Sequence, residues 1–200
     1  MPYNKFTLKT LISEFNLTLV ENVRLFPNVQ PASPSDLLLA LLEDNVPLAT
    51  AIDTEKARGE LIIFPILLEI KRQVNSQISV FSGKEFSVEP ERGLNGNPDF
   101  LISKSSQQFF IAAPVMTLVE AKNQDINSGL GQCGAEMVAA QIYNATNNQP
   151  INIIYGCVTT GSLWRFTRLE NQTLYIDKVE ISLEPIERLL GILLEIVQSS

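Results

Sequence analysis

The sequence contains no histidine, and this absence excludes several kinds of active site. Without an imidazole there is no Ser-His-Asp triad, no Cys-His dyad and no metal held by histidine. Cysteine is nearly as scarce: Cys133 and Cys157 are the only two, too few for a four-ligand zinc site, and we interpret both as packing residues. Catalysis in this chain would therefore depend on carboxylates, Lys, Tyr, Ser or Cys.

The sequence also lacks a long apolar segment. The longest apolar run covers residues 61–68, contains Pro65, and is far shorter than the ~20 residues of a membrane-spanning helix. The first ten residues lack the basic stretch and apolar core of a secretory signal peptide. Together with the low cysteine content, these absences predict a cytoplasmic protein that does not associate with a membrane.

The chain has few basic residues and is acidic overall. Its 22 Asp and Glu residues outnumber its 15 Lys and Arg residues, and the net charge is −7. Proteins that bind nucleic acid without specificity usually carry a basic face, so the charge argues against that class. It does not exclude an enzyme that acts on nucleic acid, because carboxylates that hold metal ions lower the net charge of such a protein.

Hydrophobic patterns predict the following elements. Helices are predicted at 6–15, 35–44, 55–74, 129–145 and from Pro185 onward, and strands at 17–26, 78–81, 99–103, 116–122, 151–159, 162–169 and 173–177. Pro65 predicts a kink in its helix, or a break just before it. The order of elements predicts one α/β (α+β) domain with a mixed central sheet flanked by helices. We divide it into a helical N-terminal extension (1–50), a core (51–160), and a C-terminal part with hairpin strands and a helix (161–200).

Three charged residues fall on two of these strands. Asp99 follows Pro98 at the start of one strand, and Glu120 and Lys122 lie on the next, 21 positions later. Because side chains alternate along a strand, Glu120 and Lys122 point to the same face. Charged residues are costly to place in a central strand, which indicates a function. Asp99 and Glu120 on neighbouring strands would form a hard oxygen site suited to Mg²⁺ or Mn²⁺.

The pattern Pro98-Asp99, followed by Glu120-x-Lys122, resembles the active-site signature of the PD-(D/E)xK nuclease superfamily. Over residues 50–160 the predicted order of elements is similar to the restriction-endonuclease-like core, which has a helix, three antiparallel strands, a helix and a further strand. The resemblance implies a metal-dependent nuclease that hydrolyses phosphodiester bonds, with nucleic acid, DNA above all, as its partner. A homodimer would suit cleavage of both strands of a duplex.

The resemblance also implies roles for individual residues. Asp99, Glu120 and the carbonyl of Ala121 would hold Mg²⁺ (or Mn²⁺), and Lys122 would position or activate the attacking water. Members of the family often carry an acidic residue on the first core helix. We match this acidic residue to Glu60. Members of the family also often carry a polar residue on the helix after the second motif strand, and we match that residue to Gln132.

Other interpretations of the same residues stay open. Glu55 is the second choice for the helix acid. Asp99 alone is also typical of a strand entry, and a Glu-x-Lys pair is also typical of a solvated edge strand. The same fold could serve as a catalytically silent module that binds a protein or nucleic acid. The glycines of Gly129–Gly134 match G-x-G-x-x-G and offer a dinucleotide-binding alternative, which the six-residue gap between strand and glycines disfavours.

Overall fold

A mixed β-sheet of eight strands forms the centre of the computed structural model, which describes residues 2–199. Met1 and Ser200, the ends of the predicted N-terminal and C-terminal parts, lie outside the described residues. Helices pack on both faces of the sheet. The predicted fold class, α/β with a mixed central sheet flanked by helices, is confirmed, and the layout is consistent with a restriction-endonuclease-like fold.

The strands lie close to their predicted positions. They are β1 (Thr18–Val23), β2 (Ser79–Ser82), β3 (Phe100–Ser103), β4 (Val115–Ala121), β5 (Ile153–Thr159), β6 (Leu163–Glu170), β7 (Thr173–Asp177) and β8 (Ile181–Ser182). Their order in the sheet is β1-β7-β6-β5-β4-β3-β2, and β8 pairs with β6. The pairs β1–β7 and β4–β5 are parallel, and the others are antiparallel. β4 therefore has a neighbour on each side and lies inside the sheet.

The helices are α1 (Leu8–Phe15), α2 (Asp36–Ile52), α3 (Glu55–Arg58), α4 (Phe64–Gln73), α5 (Ile126–Thr146) and α6 (Ile186–Gln198). The predicted end of α2 at residue 44 is wrong, because the helix continues through Pro47 to Ile52. Pro47 lies on the exposed side of α2, where water can bond the carbonyl that loses its partner. The helix ends where Asp53 adopts a left-handed conformation.

The break expected before Pro65 takes the form of a π-helical segment, Gly59–Ile63, between α3 and α4. Proline has no N–H group, so the carbonyl four residues earlier, that of Leu61, loses its helical partner. The side-chain amide of Asn45, on α2, donates a hydrogen bond of 2.9 Å to this carbonyl. A side chain from a neighbouring helix thus satisfies the acceptor that the proline leaves free.

Alternation along β4 sends its side chains into two separate cores. Val119 and Ala121 pack with residues of α4 and α6 on one face of the sheet, whereas Leu118 packs with residues of α1 and α5 on the other. Glu120 is two residues from Leu118 and so belongs to the α5 face. Within residues 2–199, no helix has the length and apolar character that crossing a membrane requires.

Candidate active site

The two halves of the sequence motif meet at one end of the β3–β4 pair. Phe100 lies opposite Val119 in this antiparallel pair, which places Asp99 beside the last residues of β4. The Oδ2 atom of Asp99 accepts a hydrogen bond of 2.8 Å from the main-chain N–H of Ala121. Asp99 is therefore held against the strand that carries Glu120 rather than turned toward solvent.

Glu120 and Lys122 form a short ion pair at the end of β4. The Lys122 Nζ atom lies 2.6 Å from Glu120 Oε1, and the side chains are 16% and 3% exposed, respectively. The pair lies on the same side of the strand, as alternation predicts. Because β4 lies between β3 and β5, the alternative of a solvated edge strand is wrong for Glu120.

Burial makes both acids of the motif harder to ionise. Burial, reinforced by the charge of Asp99, raises the pKa of Glu120 to about 8, although Lys122 acts in the opposite direction. Burial also raises the pKa of Asp99, against the hydrogen bond from Ala121 and the charge of Lys122. Two carboxyl groups that compete for one partly dry site are typical of a position that binds a cation or a proton.

Lys122 remains charged at neutral pH despite its partial burial. Burial acts to lower its pKa, but the adjacent Glu120 carboxylate, with smaller effects of Glu55 and Asp99, outweighs burial, and the pKa is raised. An ammonium group in this state has no free lone pair with which to accept a proton. Lys122 is therefore suited to orient a water molecule or to stabilise negative charge.

An open cleft of about 350 Å³ lies over this end of the sheet. Glu55, Glu60, Asp99 and Ala121 are among the residues that line it. The first choice for the helix acid, Glu60, is 65% exposed and lies 3.9 Å from the Lys56 ammonium group at the mouth of the cleft.

Glu55, the second choice, lies nearer to the motif. Its charge is among the main influences on the pKa of both Asp99 and Lys122. Glu55 stands at the start of α3, where the Thr54 hydroxyl caps the helix. Both acids line the cleft, and the charge of Glu55 is coupled to the motif.

Gln132 and Glu136 face each other one turn apart on α5. The Gln132 Nε2 atom donates a hydrogen bond of 3.1 Å to Glu136 Oε1. Glu136 is fully buried, and burial together with the nearby Glu120 raises its pKa well above the usual value. Sequence reasoning missed Glu136; its only signal is a carboxylate four residues after Gln132, within the small and apolar run Cys133–Ala140.

The glycines of the G-x-G-x-x-G pattern lie inside α5, in tight packing contacts. A Cβ atom at Gly129 would lie 2.6 Å from Val158 Cγ1 and 3.1 Å from Lys122 Cε. One at Gly131 would overlap the main chain of Phe6 and Thr7. The glycines allow α5 to approach the sheet and the N-terminal segment closely. Their packing role is the alternative to the dinucleotide-binding interpretation.

The oxygen atoms around Glu120 are of the chemical kind that hard divalent cations bind. Glu120 Oε2 is buried and receives no hydrogen bond from an N–H or hydroxyl donor of the described residues. Asp99 is close enough for the two carboxyl groups to share a proton and for its charge to raise the pKa of Glu120. Within residues 2–199 no group of three or more His, Cys, Asp or Glu side chains could hold a metal ion. Two carboxylates would therefore need a main-chain carbonyl, that of Ala121, together with water or substrate oxygens, as is usual for Mg²⁺.

Arg58 joins α3 to the chain segments that follow β4 and β5. Its guanidinium group donates hydrogen bonds to Asn123 Oδ1, at 3.2 Å, and to the Thr160 carbonyl, at 3.0 Å. It also pairs with Asp53 at 3.1 Å. These contacts hold the helix that carries Glu55 against the strand ends that carry the motif.

Comparison of the chain with models of known protein families and with curated proteins finds no match in either set.

Proposed function

We propose that this protein is a metal-dependent nuclease that hydrolyses phosphodiester bonds, with DNA favoured over RNA by the resemblance described above. The observation that carries the proposal is the buried Glu120 carboxyl group. One of its oxygens accepts a hydrogen bond from Lys122, the other receives none from an N–H or hydroxyl donor of the described residues, and Asp99 is its neighbour. A cation at this position would relieve the repulsion between two carboxylates that the fold brings together.

Each residue of the cluster has a distinct role in this proposal. Asp99, Glu120 and the Ala121 carbonyl hold the metal ion, which supplies a more acidic bound water and neutralises charge on the phosphate. The main-chain N–H of Ala121 keeps Asp99 in place. Lys122, as a charged ammonium group, orients the attacking water and stabilises the charge that develops on the phosphoryl oxygens. Glu55 on α3, or Glu60 on the π-helical segment, lines the site, and Gln132 supports it from α5.

A catalytically silent module on the same fold is the second candidate. It is favoured by the ion pair itself, because Lys122 already neutralises one oxygen of Glu120 without any metal. The acidic net charge of −7 also favours a module that binds a protein rather than nucleic acid. Metal affinity separates the two candidates, since a silent module has no need to bind Mn²⁺.

The test combines metal binding with cleavage. Mn²⁺ is titrated by calorimetry into the wild type, into Asp99→Asn/Glu120→Gln, and into Glu21→Gln as a control at an exposed acid of β1, on the far edge of the sheet. Plasmid and single-stranded DNA and RNA are then incubated with each protein and Mg²⁺ or Mn²⁺. We expect saturable Mn²⁺ binding and cleavage in the wild type and control, and neither in the double variant.

Different results would decide against the nuclease. Mn²⁺ binding without cleavage of any substrate would indicate a site that holds a metal for another purpose. If the protein is folded by circular dichroism but neither binds Mn²⁺ nor cleaves any substrate, the silent module is favoured.

A further inference from the structure

Two adjacent phenylalanines project from the loop 104–114, which connects β3 to β4. Phe109 is 95% exposed and Phe110 is 57% exposed, whereas every other Phe and Trp side chain of the described residues is buried or half-buried. An exposed aromatic ring offers a large apolar face to a partner, and two adjacent rings offer twice that area. The pair is therefore a candidate binding surface.

Hydrogen bonds hold the loop on both sides of this pair. Gln108 Nε2 donates a bond of 2.8 Å to the Val80 carbonyl, and Gln108 Oε1 accepts a bond of 2.6 Å from Lys71 Nζ. On the other side, the Tyr143 hydroxyl donates a bond of 2.7 Å to the Ile111 carbonyl. The two rings are thus presented by a segment that is anchored before and after them, which lowers the entropy lost when a partner binds.

The charge around the loop is positive, although the chain as a whole is acidic. Residues 70–84 and 100–119 contain four basic residues and no Asp or Glu. Three of the four, Lys71, Lys84 and Lys104, form no ion pair with another described residue. The bond from Lys71 to a neutral amide, described above, fixes its position and leaves its charge uncompensated. An anionic partner is complementary to this surface.

Strand β2 links the loop to the candidate site. It is the outer strand at this end of the sheet, and Gln108 is bonded to Val80 on it. Ser82 and Gly83, two and three residues further along the chain, line the cleft. At about 3.3 Å per residue, the bonded carbonyl and the cleft are about 10 Å apart, a distance of a few nucleotides in an extended strand.

We propose that Phe109 and Phe110 form a platform on which bases of single-stranded nucleic acid stack, with Lys71 and Lys104 on the phosphates. Every base has a π face, so stacking on phenylalanine is independent of sequence. Bases inside a duplex are covered by their neighbours and do not offer these faces. As an assignment of substrate class to the candidate site, a single strand or a single-stranded tail, the proposal rests on the proposed nuclease function.

A membrane surface fits this loop less well than a single strand does. The pair follows the polar residues Ser105, Ser106 and Gln107, which would have to enter the lipid interface with it. A protein of net charge −7 is repelled by an anionic bilayer over a broad contact, whereas a single strand touches only a narrow track. Hydroxyl and amide groups also bind sugar and phosphate oxygens.

The test measures binding without metal, so its result does not depend on cleavage. Fluorescent strands of about 20 nucleotides are titrated with the full-length protein in EDTA at low salt. They are single-stranded DNA, single-stranded RNA, duplex DNA, and an abasic strand that keeps the sugars and phosphates without bases. We expect saturable binding of the DNA or RNA single strand, at least about ten-fold tighter than binding of the duplex and the abasic strand.

Two variants remove the surface in parts. Phe109→Ser/Phe110→Ser should weaken binding of the single strand by about ten-fold or more, because both stacking rings are lost. It should leave the weak binding of the abasic strand unchanged. Lys71→Gln/Lys104→Gln should weaken binding by about three-fold or more and should make the affinity less dependent on salt concentration.

Matched controls make the same chemical changes elsewhere. Leu37→Ser/Leu39→Ser removes two exposed apolar side chains of α2, and Lys9→Gln/Lys178→Gln removes two exposed lysines. Each control should change the affinity for the single strand by less than about two-fold. Equal losses in the controls and in the loop variants would overturn the proposal, because they would show unspecific attraction.

The outcomes separate this proposal from the nuclease. Single-strand binding that depends on Phe109 and Phe110, in a protein that cleaves nothing, would support the platform and refute the nuclease. Cleavage of duplex DNA by a protein without preference for single strands would support the nuclease and overturn the platform. Binding to vesicles of anionic lipid that depends on the two rings, without binding to either single strand, would also overturn it and assign the loop to a membrane surface.

Discussion

The carboxylate of Asp99 is tied to the main chain of Ala121 by a hydrogen bond of 2.8 Å, so one half of the motif is fixed to the backbone of the other. A main-chain donor does not change when side chains titrate or when a ligand enters. Asp99 is therefore oriented before any metal or substrate is present, and the conformational entropy of its side chain is lost during folding rather than on binding.

Removing the ammonium group should leave Glu120 buried without its partner. We expect Lys122→Met to lower the free energy of unfolding by about 1–3 kcal/mol and to lower any nuclease activity by about 100-fold or more. Urea denaturation and cleavage assays measure the two effects. Glu120→Gln/Lys122→Met should recover part of the stability and none of the activity. Equal stability of Lys122→Met and the wild type would show that the ion pair is not maintained in solution.

Stability should fall as the pH rises from about 5 toward about 8. The pKa of Glu120 is about 8 in the folded protein against 4.5 for a free Glu, so the folded state binds the extra proton between these values. The raised pKa values of Asp99 and Glu136 act in the same direction. Thermal unfolding of the wild type and of Glu120→Gln between pH 5 and pH 9 tests this, and the variant should show a flatter profile. A wild-type melting temperature that rises over this range would contradict the prediction.

Alanine at Gly129 should destabilise the protein, although alanine usually favours helices. The new Cβ atom would lie 2.6 Å from Val158 and close to the Lys122 side chain, so α5 would have to move away from the sheet. We expect a loss of about 1–3 kcal/mol in unfolding experiments. Asn127→Ala, at an exposed position of the same helix, is the control and should change stability by less than about 0.5 kcal/mol. A neutral Gly129→Ala would show that the helix–sheet contact is loose.

The sheet could be predicted closely because its strands carry strong local signals. Turns and prolines mark the ends of segments such as 173–177, which is the observed β7. The extent of α2 could not be predicted, because the left-handed conformation of Asp53, and not Pro47, ends the helix. The two-residue strand β8 has too few residues for a pattern and exists only through its pairing with β6.

The residues of the candidate site were likewise only partly predictable from the sequence. Asp99, Glu120 and Lys122 could be grouped because neighbouring strands and alternation predict their proximity. Glu136 could not, because a glutamate in a helix is usually exposed, and only the close approach of α5 to β4 buries this one. The choice between Glu55 and Glu60 likewise depends on how α3 and the π-helical segment sit over the cleft, which a helical pattern does not specify.

Asn45 and Pro65 are a pair that is difficult to replace one residue at a time. The amide of Asn45 donates to the Leu61 carbonyl, which Pro65 cannot reach with an N–H group of its own, so losing Asn45 alone leaves this carbonyl without its side-chain donor. Replacing Pro65 alone restores a main-chain donor that competes with the amide for the same oxygen. Evolution should therefore retain both residues or replace both. The two positions should then covary among related sequences.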